Sequence, residues 1–113
     1  MHARTLPHFM LLPSCLDGPS TLTPNVWHHI AVVLPAGSTY TGRLYVDGVS
    51  VATNNTMTLH AVDLGATGNN WLGRSQFAAA SANNPLFNGQ LDDFRAYKRA
   101  LSNVEISALF AGR

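Results

Sequence analysis

Charge is what this chain has least of. Only 12% of its 113 residues are Asp, Glu, Lys or Arg, about half the ~25% of an ordinary soluble domain. One lysine, Lys98, and one glutamate, Glu105, stand beside six arginines and five aspartates. The net charge is +1 and the arginines are scattered. The clustered Lys/Arg surface that displaces phosphate counterions is therefore missing, and nucleic acid is excluded as the expected partner. Cysteine is nearly absent. Cys15 stands alone, which rules out an internal disulfide and a four-thiolate zinc site, and no His or Asp motif beside it activates the thiol. No uninterrupted apolar run approaches the ~18–20 residues of a membrane-spanning helix. Helix formers are sparse, and Thr, Ser and Asn take their place with nine Gly and six Pro. That substitution predicts a β-rich, loop-rich chain. A hydrophobic content of 46% over this length suits one domain with a core.

The first 24 residues are poorly patterned. Arg4 precedes an apolar stretch from Leu6 to Leu12, and Leu12-Pro13-Ser14-Cys15 faintly resembles a bacterial lipoprotein cleavage site. Pro7, His8 and Pro13 interrupt the apolar run that a signal needs. Residues 1–24 read as an irregular leader or as the remnant of N-terminal strands.

From Val26 the pattern sharpens. Val26, His28, Ile30, Val32 and Leu34 alternate with Trp27, His29, Ala31 and Val33, and both sets are largely apolar. This predicts a strand buried on both faces, with Trp27 in the core. Pro35-Ala36-Gly37-Ser38 stops it. Asp47-Gly48 then separates Arg43–Val46 from Val49–Ala52, and this dipeptide supplies the positive φ angles of a type I′ hairpin turn. In that register Val46 opposes Val49 and Leu44 opposes Val51 on one oily face, while Tyr45 and Ser50 share the other. Turn geometry accounts for both Asp47 and Gly48. Leu59–Leu64 and Trp71–Ser75 are further candidate strands, Phe77–Pro85 is an exposed loop, and Leu86–Tyr97 is the last strand region, with Gly89 as a bend or bulge. The end is helical. Ser102 and Glu105 form a capping box, Leu101 and Ile106 a hydrophobic staple, and Ile106, Leu109 and Phe110 one apolar face stopped at Gly112.

Four segments in this order resemble the laminin-G-like jelly-roll domains of the concanavalin A-like lectin/glucanase superfamily. They are Asn25–Val33, Leu44-Tyr45-Val46-Asp47-Gly48, Leu72-Gly73-Arg74-Ser75, and Phe87–Tyr97 running into Arg99-Ala100-Leu101-Ser102. The closing stretch from Lys98 to Ile106 is similar to the family's terminal segment. The resemblance covers residues 25–113 and implies an all-β fold: an antiparallel two-sheet jelly-roll sandwich with one short C-terminal helix. The family's first several strands have no counterpart here, so the chain resembles the C-terminal part of such a domain. Half a sandwich leaves an apolar sheet face uncovered, which favours self-association.

The same resemblance implies a non-catalytic module of a larger secreted or extracellular protein, with a glycan or glycoprotein as partner. Glycoside hydrolysis, the enzymatic alternative on this fold, needs two carboxylates flanking the bond. Glu105 is already spent on the helix cap, and Asp92 and Asp93, being adjacent on a strand, face opposite ways. His28 and His29 cannot chelate one metal for the same reason, and His2, His8 and His60 lack ligand spacing. Asp92 is the candidate metal ligand. Relatives hold a structural Ca²⁺ with an inward Asp on the final strand, and a Ca²⁺ here would stabilise the chain unless Asp92 were replaced by Ala. The competing reading has Asp92 accept backbone N–H bonds or pair with Arg95 or Arg74. Trp71, Tyr40, Tyr45 and Tyr97 are candidates for stacking on sugar rings, with Trp71, at a loop–strand junction beside Asn69 and Asn70, the leading one. Asn54-Asn55-Thr56 is a glycosylation sequon, meaningful in a eukaryotic secretory context. A structural or adhesive module without sugar affinity is the competing function.

Overall fold

The computed structural model describes residues 8–11, 14–18, 21–58, 60–68, 71–73 and 87–112. Its centre is a three-stranded antiparallel sheet in the order β3 (Ile30–Val33), β4 (Gly42–Val46), β5 (Val49–Asn54). The β4–β5 turn is the one expected. Asp47 has φ 50° and Gly48 φ 78°, both in the left-handed region that a type I′ turn requires. Val46 pairs with Val49 and Tyr45 with Ser50, as the two-residue turn dictates. Beyond that the register shifts, and Leu44 pairs with Ala52 in place of Val51. A bulge at this step bends β5 and turns both Val51 and Ala52 toward the Leu44 side.

The sheet is covered on both faces. Leu44 projects to one side with Leu16 and Met57, all three fully buried, and Ile30, Val32 and Leu34 pack around them. Leu16 comes from a hairpin of β1 (His8–Leu11) and β2 (Ser14–Asp17), whose second strand packs on β4 and β5. Gly42 lies beneath this contact. A Cβ there would sit 1.9 Å from the Met57 sulfur, so the close approach of Met57 to β4 requires a glycine. Tyr45 and Val33 project to the other side, where Ile106 of α1 (Asn103–Ala111) closes the second cluster with Ala31 and Leu101. The Tyr45 hydroxyl donates to the Asn103 side chain, which satisfies a buried polar end and ties sheet to helix.

The helix starts as the sequence predicts. Ser102 Oγ accepts from the Glu105 N–H at 3.3 Å, and a Glu105 carboxylate oxygen accepts from the Ser102 N–H at 2.8 Å. Arg99 reaches over this box and donates to Glu105 at 3.0 Å. Together, the Arg99 hydrogen bond first and then the Ser102 N–H and hydroxyl, they pull the Glu105 carboxyl from its usual 4.5 down to about 2. A carboxyl depressed in the folded state stabilises fully above its unfolded value and loses that contribution as pH falls toward the folded one. Melting temperature should therefore drop between pH 4.5 and about 2 more steeply in the wild type than in Glu105→Gln. Parallel curves would show that the box carries no proton-linked stability.

Several strands expected from the sequence are not formed among the described residues. The two-sheet sandwich is seen in part: the three-stranded sheet and the helix are present, but no second full sheet appears among the described residues, and the β1–β2 hairpin lies over part of one face. That hairpin falls within residues 1–24. β3 begins at Ile30, not Val26, because β4 ends at Val46, the partner of Ile30. Residues 26–29 run past the end of β4 with no ladder to join, and Asn25 turns the chain at φ 63°. Trp27 is consequently 52% exposed rather than in the core. Ala61–Leu64 is a 3-10 turn, not a strand; the Asp63 carboxylate accepts the His60 N–H at 2.9 Å and winds it. Leu59, Arg74, Ser75 and the loop 77–85 lie outside the described residues. Trp71–Gly73 and Phe87–Tyr97 form no ladder among the described residues.

Candidate functional site

Among the described residues, side chains with chemistry meet the surface in three places. The first is built around the hairpin turn. Asp47 does more than bend the chain: its Oδ2 lies 2.7 Å from His28 Nδ1, and its Oδ1 accepts the His29 N–H at 2.9 Å. The Asp47 N–H in turn donates to the His29 carbonyl at 2.8 Å. Thus the left-handed turn residue latches the 26–29 segment to the sheet's end. From the other side Phe110 packs against Gly48, where an added Cβ would lie 3.2 Å from its ring, and its ring centroid is 6.1 Å from that of His29. The Ser107 hydroxyl donates to the Gly48 carbonyl. Turn geometry alone did not foretell this second role, which needs residues 18 and 19 positions apart to return to each other.

An aspartate beside a histidine invites a catalytic reading, but the ring's other nitrogen, Nε2, lies 3.2 Å from the Thr23 carbonyl. Both ring nitrogens face acceptors of the chain itself, so no ring position is presented to a substrate. His28 and His29 do not converge on a common ion, and no group of three or more His, Cys, Asp or Glu side chains that could hold a metal occurs among the described residues.

The second place is the aromatic surface. Trp71 is 49% exposed, Tyr40 and Tyr97 are about as open, and Trp27 joins them unexpectedly. Tyr40 lies against the His60 ring, with centroids 5.8 Å apart. Tyr45 leaves the list of sugar-stacking candidates, since the sheet–helix core buries it. Asn69 and Asn70 lie outside the described residues. Cys15 belongs to β2, opposite Met10 in the ladder.

The third place is the segment 87–100. After Phe87, whose N–H donates to the Gly73 carbonyl at 2.7 Å, every residue from Asn88 to Ala100 is exposed. Asp92 and Asp93 do not point to opposite faces of a strand, because the backbone kinks at Asp93, φ 51°. The Asp92 Oδ1 accepts the Asp93 N–H at 2.7 Å, the competing reading for that residue. Arg95 grips Asp93, not Asp92, through two bonds of 2.9 and 2.8 Å. The hydrogen bond to Asp93 and then that to Tyr97 raise the Arg95 guanidinium above its ordinary value. Arg74 lies outside the described residues. Asp92 thus brings one carboxylate, and no group of three or more His, Cys, Asp or Glu side chains gathers around it among the described residues.

A common electrostatic feature joins these places. Asp47, Asp63, Asp92, Asp93 and Glu105 each accept hydrogen bonds from the chain's own N–H groups.

The model of the concanavalin A-like lectin/glucanases superfamily, in its laminin G form, matches residues 12–107. Among curated proteins none matches the chain. Among solved structures, a crystal structure of residues 221–444 of an S-layer domain-containing protein from Clostridium thermocellum ATCC 27405 is similar, with 40% identity and a TM-score of 0.63. The likeness covers 86% of this chain and 45% of that one, so the present chain spans less than half the length of the structure it matches. No helix among the described residues is long and apolar enough to cross a membrane.

Proposed function

The chain belongs to the concanavalin A-like lectin/glucanase superfamily, and from that premise we propose that it is a non-catalytic recognition module of a cell-surface or secreted protein, binding a glycan or glycoprotein through exposed aromatic rings. The observation that carries the reading is the exposure of both tryptophans, Trp27 and Trp71, each about half open. An indole face left to solvent at this cost suits the C–H face of a sugar ring. The occupation of the described carboxylates by the chain's own N–H groups supports the non-catalytic half of the proposal. The similar S-layer domain-containing protein supports a surface setting.

A glycan array tests it. Reproducible hits should fall at least about tenfold in affinity, roughly 1.4 kcal/mol, when Trp71 is replaced by alanine. Running the array with calcium and with chelator separates the Asp92 expectation: hits that survive chelation remove Ca²⁺ from the account. Silence across the array favours the second reading, a structural or adhesive module without sugar affinity, which the exposed segment 88–100, outside any ladder of the described residues, supports independently. Turnover of a polysaccharide by the purified chain would overturn both.

A further inference from the structure

The segment from Gln90 to Lys98 has a strand's composition but joins no ladder among the described residues. It presents Leu91, Phe94 and Tyr97 to solvent, with Phe94 71% exposed. Exposed, strand-forming backbone outside a ladder is a template for edge pairing. What holds it out of an extended shape is local. Asp93 occupies the left-handed region, kept there by the Asp92 carboxylate on its N–H and by the two-bond grip of Arg95. A non-glycine residue in that region is costly to hold, so the kink stands ready to open once another partner offers the same bonds.

The sequence itself names that partner. Set antiparallel to its own copy about a two-fold axis at Phe94, the segment is self-complementary. Asp93 meets Arg95 of the other chain, twice by symmetry; Leu91 meets Tyr97, Gln90 meets Lys98, Asp92 meets Ala96, and the two Phe94 rings face each other. Opposite charges and aromatic or aliphatic pairs set directly across an antiparallel ladder are the favourable ones, and like charges there are unfavourable. Moving the axis by one residue, to Asp93 or Arg95, places like charges face to face. We propose that Gln90–Lys98 is a homodimerisation strand, pairing with the same segment of a second copy in this Phe94-centred register. The intrachain Asp93–Arg95 ion pair is exchanged for two interchain pairs of the same chemistry, and Asp93 returns to an extended backbone. The interaction is isologous, as a two-fold interface must be. It stands apart from the glycan reading, since neither tryptophan takes part.

So short a ladder makes a small interface, and the dimer should be weak. Sedimentation velocity over about 1–300 µM spans the affinity of such a contact, and the wild type should move from monomer toward dimer across it. Asp93→Arg and Arg95→Asp should each remain monomeric, because each opposes like charges in both symmetric pairs. An equimolar mixture of the two should associate again, as should the double variant carrying both changes. This rescue cannot come from a folding defect, and circular dichroism of each variant confirms the fold. A wild type monomeric throughout overturns the proposal and assigns the segment to some other occupant. Single variants that dimerise like the wild type, or folded single variants whose mixture stays monomeric, overturn it equally.

Discussion

Truncating Leu44 to alanine should destabilise the chain by about 2–5 kcal/mol, the range for emptying a fully buried leucine site. Its side chain is 1% exposed and is the point at which β4 touches both Leu16 of the hairpin and Met57 after β5. Two of these three anchors come from outside the sheet, so the loss is felt by the cover as well as by the strand. In a domain whose whole stability is about 5–15 kcal/mol, that is a large fraction. At about 4–8 °C per kcal/mol for a domain of this size, the melting temperature should fall by roughly 8–40 °C. Val62, 83% exposed on the 3-10 turn, is the control, and its alanine variant should stay within about 0.5 kcal/mol of the wild type. A small shift in Leu44→Ala would mean that the hairpin does not rest on this face.

The second large effect lies at Asp47. Alanine there removes the carboxylate from His28 Nδ1 and from the His29 N–H at once, and puts a Cβ with no compensating bond at φ 50°. Hydrogen bonds to a charged group contribute about 1.5–3 kcal/mol, so the variant should lose about 3 kcal/mol. Glycine at the same position tolerates the left-handed backbone and loses only the two bonds. Asp47→Gly should therefore be more stable than Asp47→Ala by about 1 kcal/mol, a difference that isolates the turn from the latch. Denaturant unfolding of the two variants reads it directly. Equal stabilities would show that the turn conformation carries no cost, and a near-neutral Asp47→Gly would show that the latch carries no energy.

What could be read from the sequence was what neighbours in the chain decide. The Asp47-Gly48 turn, the pairing of Val46 with Val49, and the Ser102–Glu105 box with Ile106 beneath it all involve residues within a few positions of one another. Periodicity failed where burial depends on a distant strand being present. Val26-Trp27 has the apolar pattern of a core strand, yet β4 is too short to reach it. Phe87–Tyr97 has a strand's composition, yet the Asp92–Asp93–Arg95 bonds supply a local alternative that bends it. The bulge beside Leu44 was invisible because Val51 and Ala52 are both apolar, so either satisfies the pattern. Of the candidate site, the exposure of Trp71 was legible from its place between loop and strand. That of Trp27 was not, and the His28 contact of Asp47 lay hidden behind a turn motif that explained the residue too well.

The account divides the chain into a covered sheet and an outer segment left open for partners, and amide hydrogen exchange tests that division most directly. In dilute solution the amides of Arg43–Val46 should be the slowest in the molecule, exchanging only with global unfolding, while those of Leu91–Tyr97 exchange close to the rate of an open chain. Strong protection across Leu91–Tyr97 in the dilute monomer, or rapid exchange within Arg43–Val46, would contradict it.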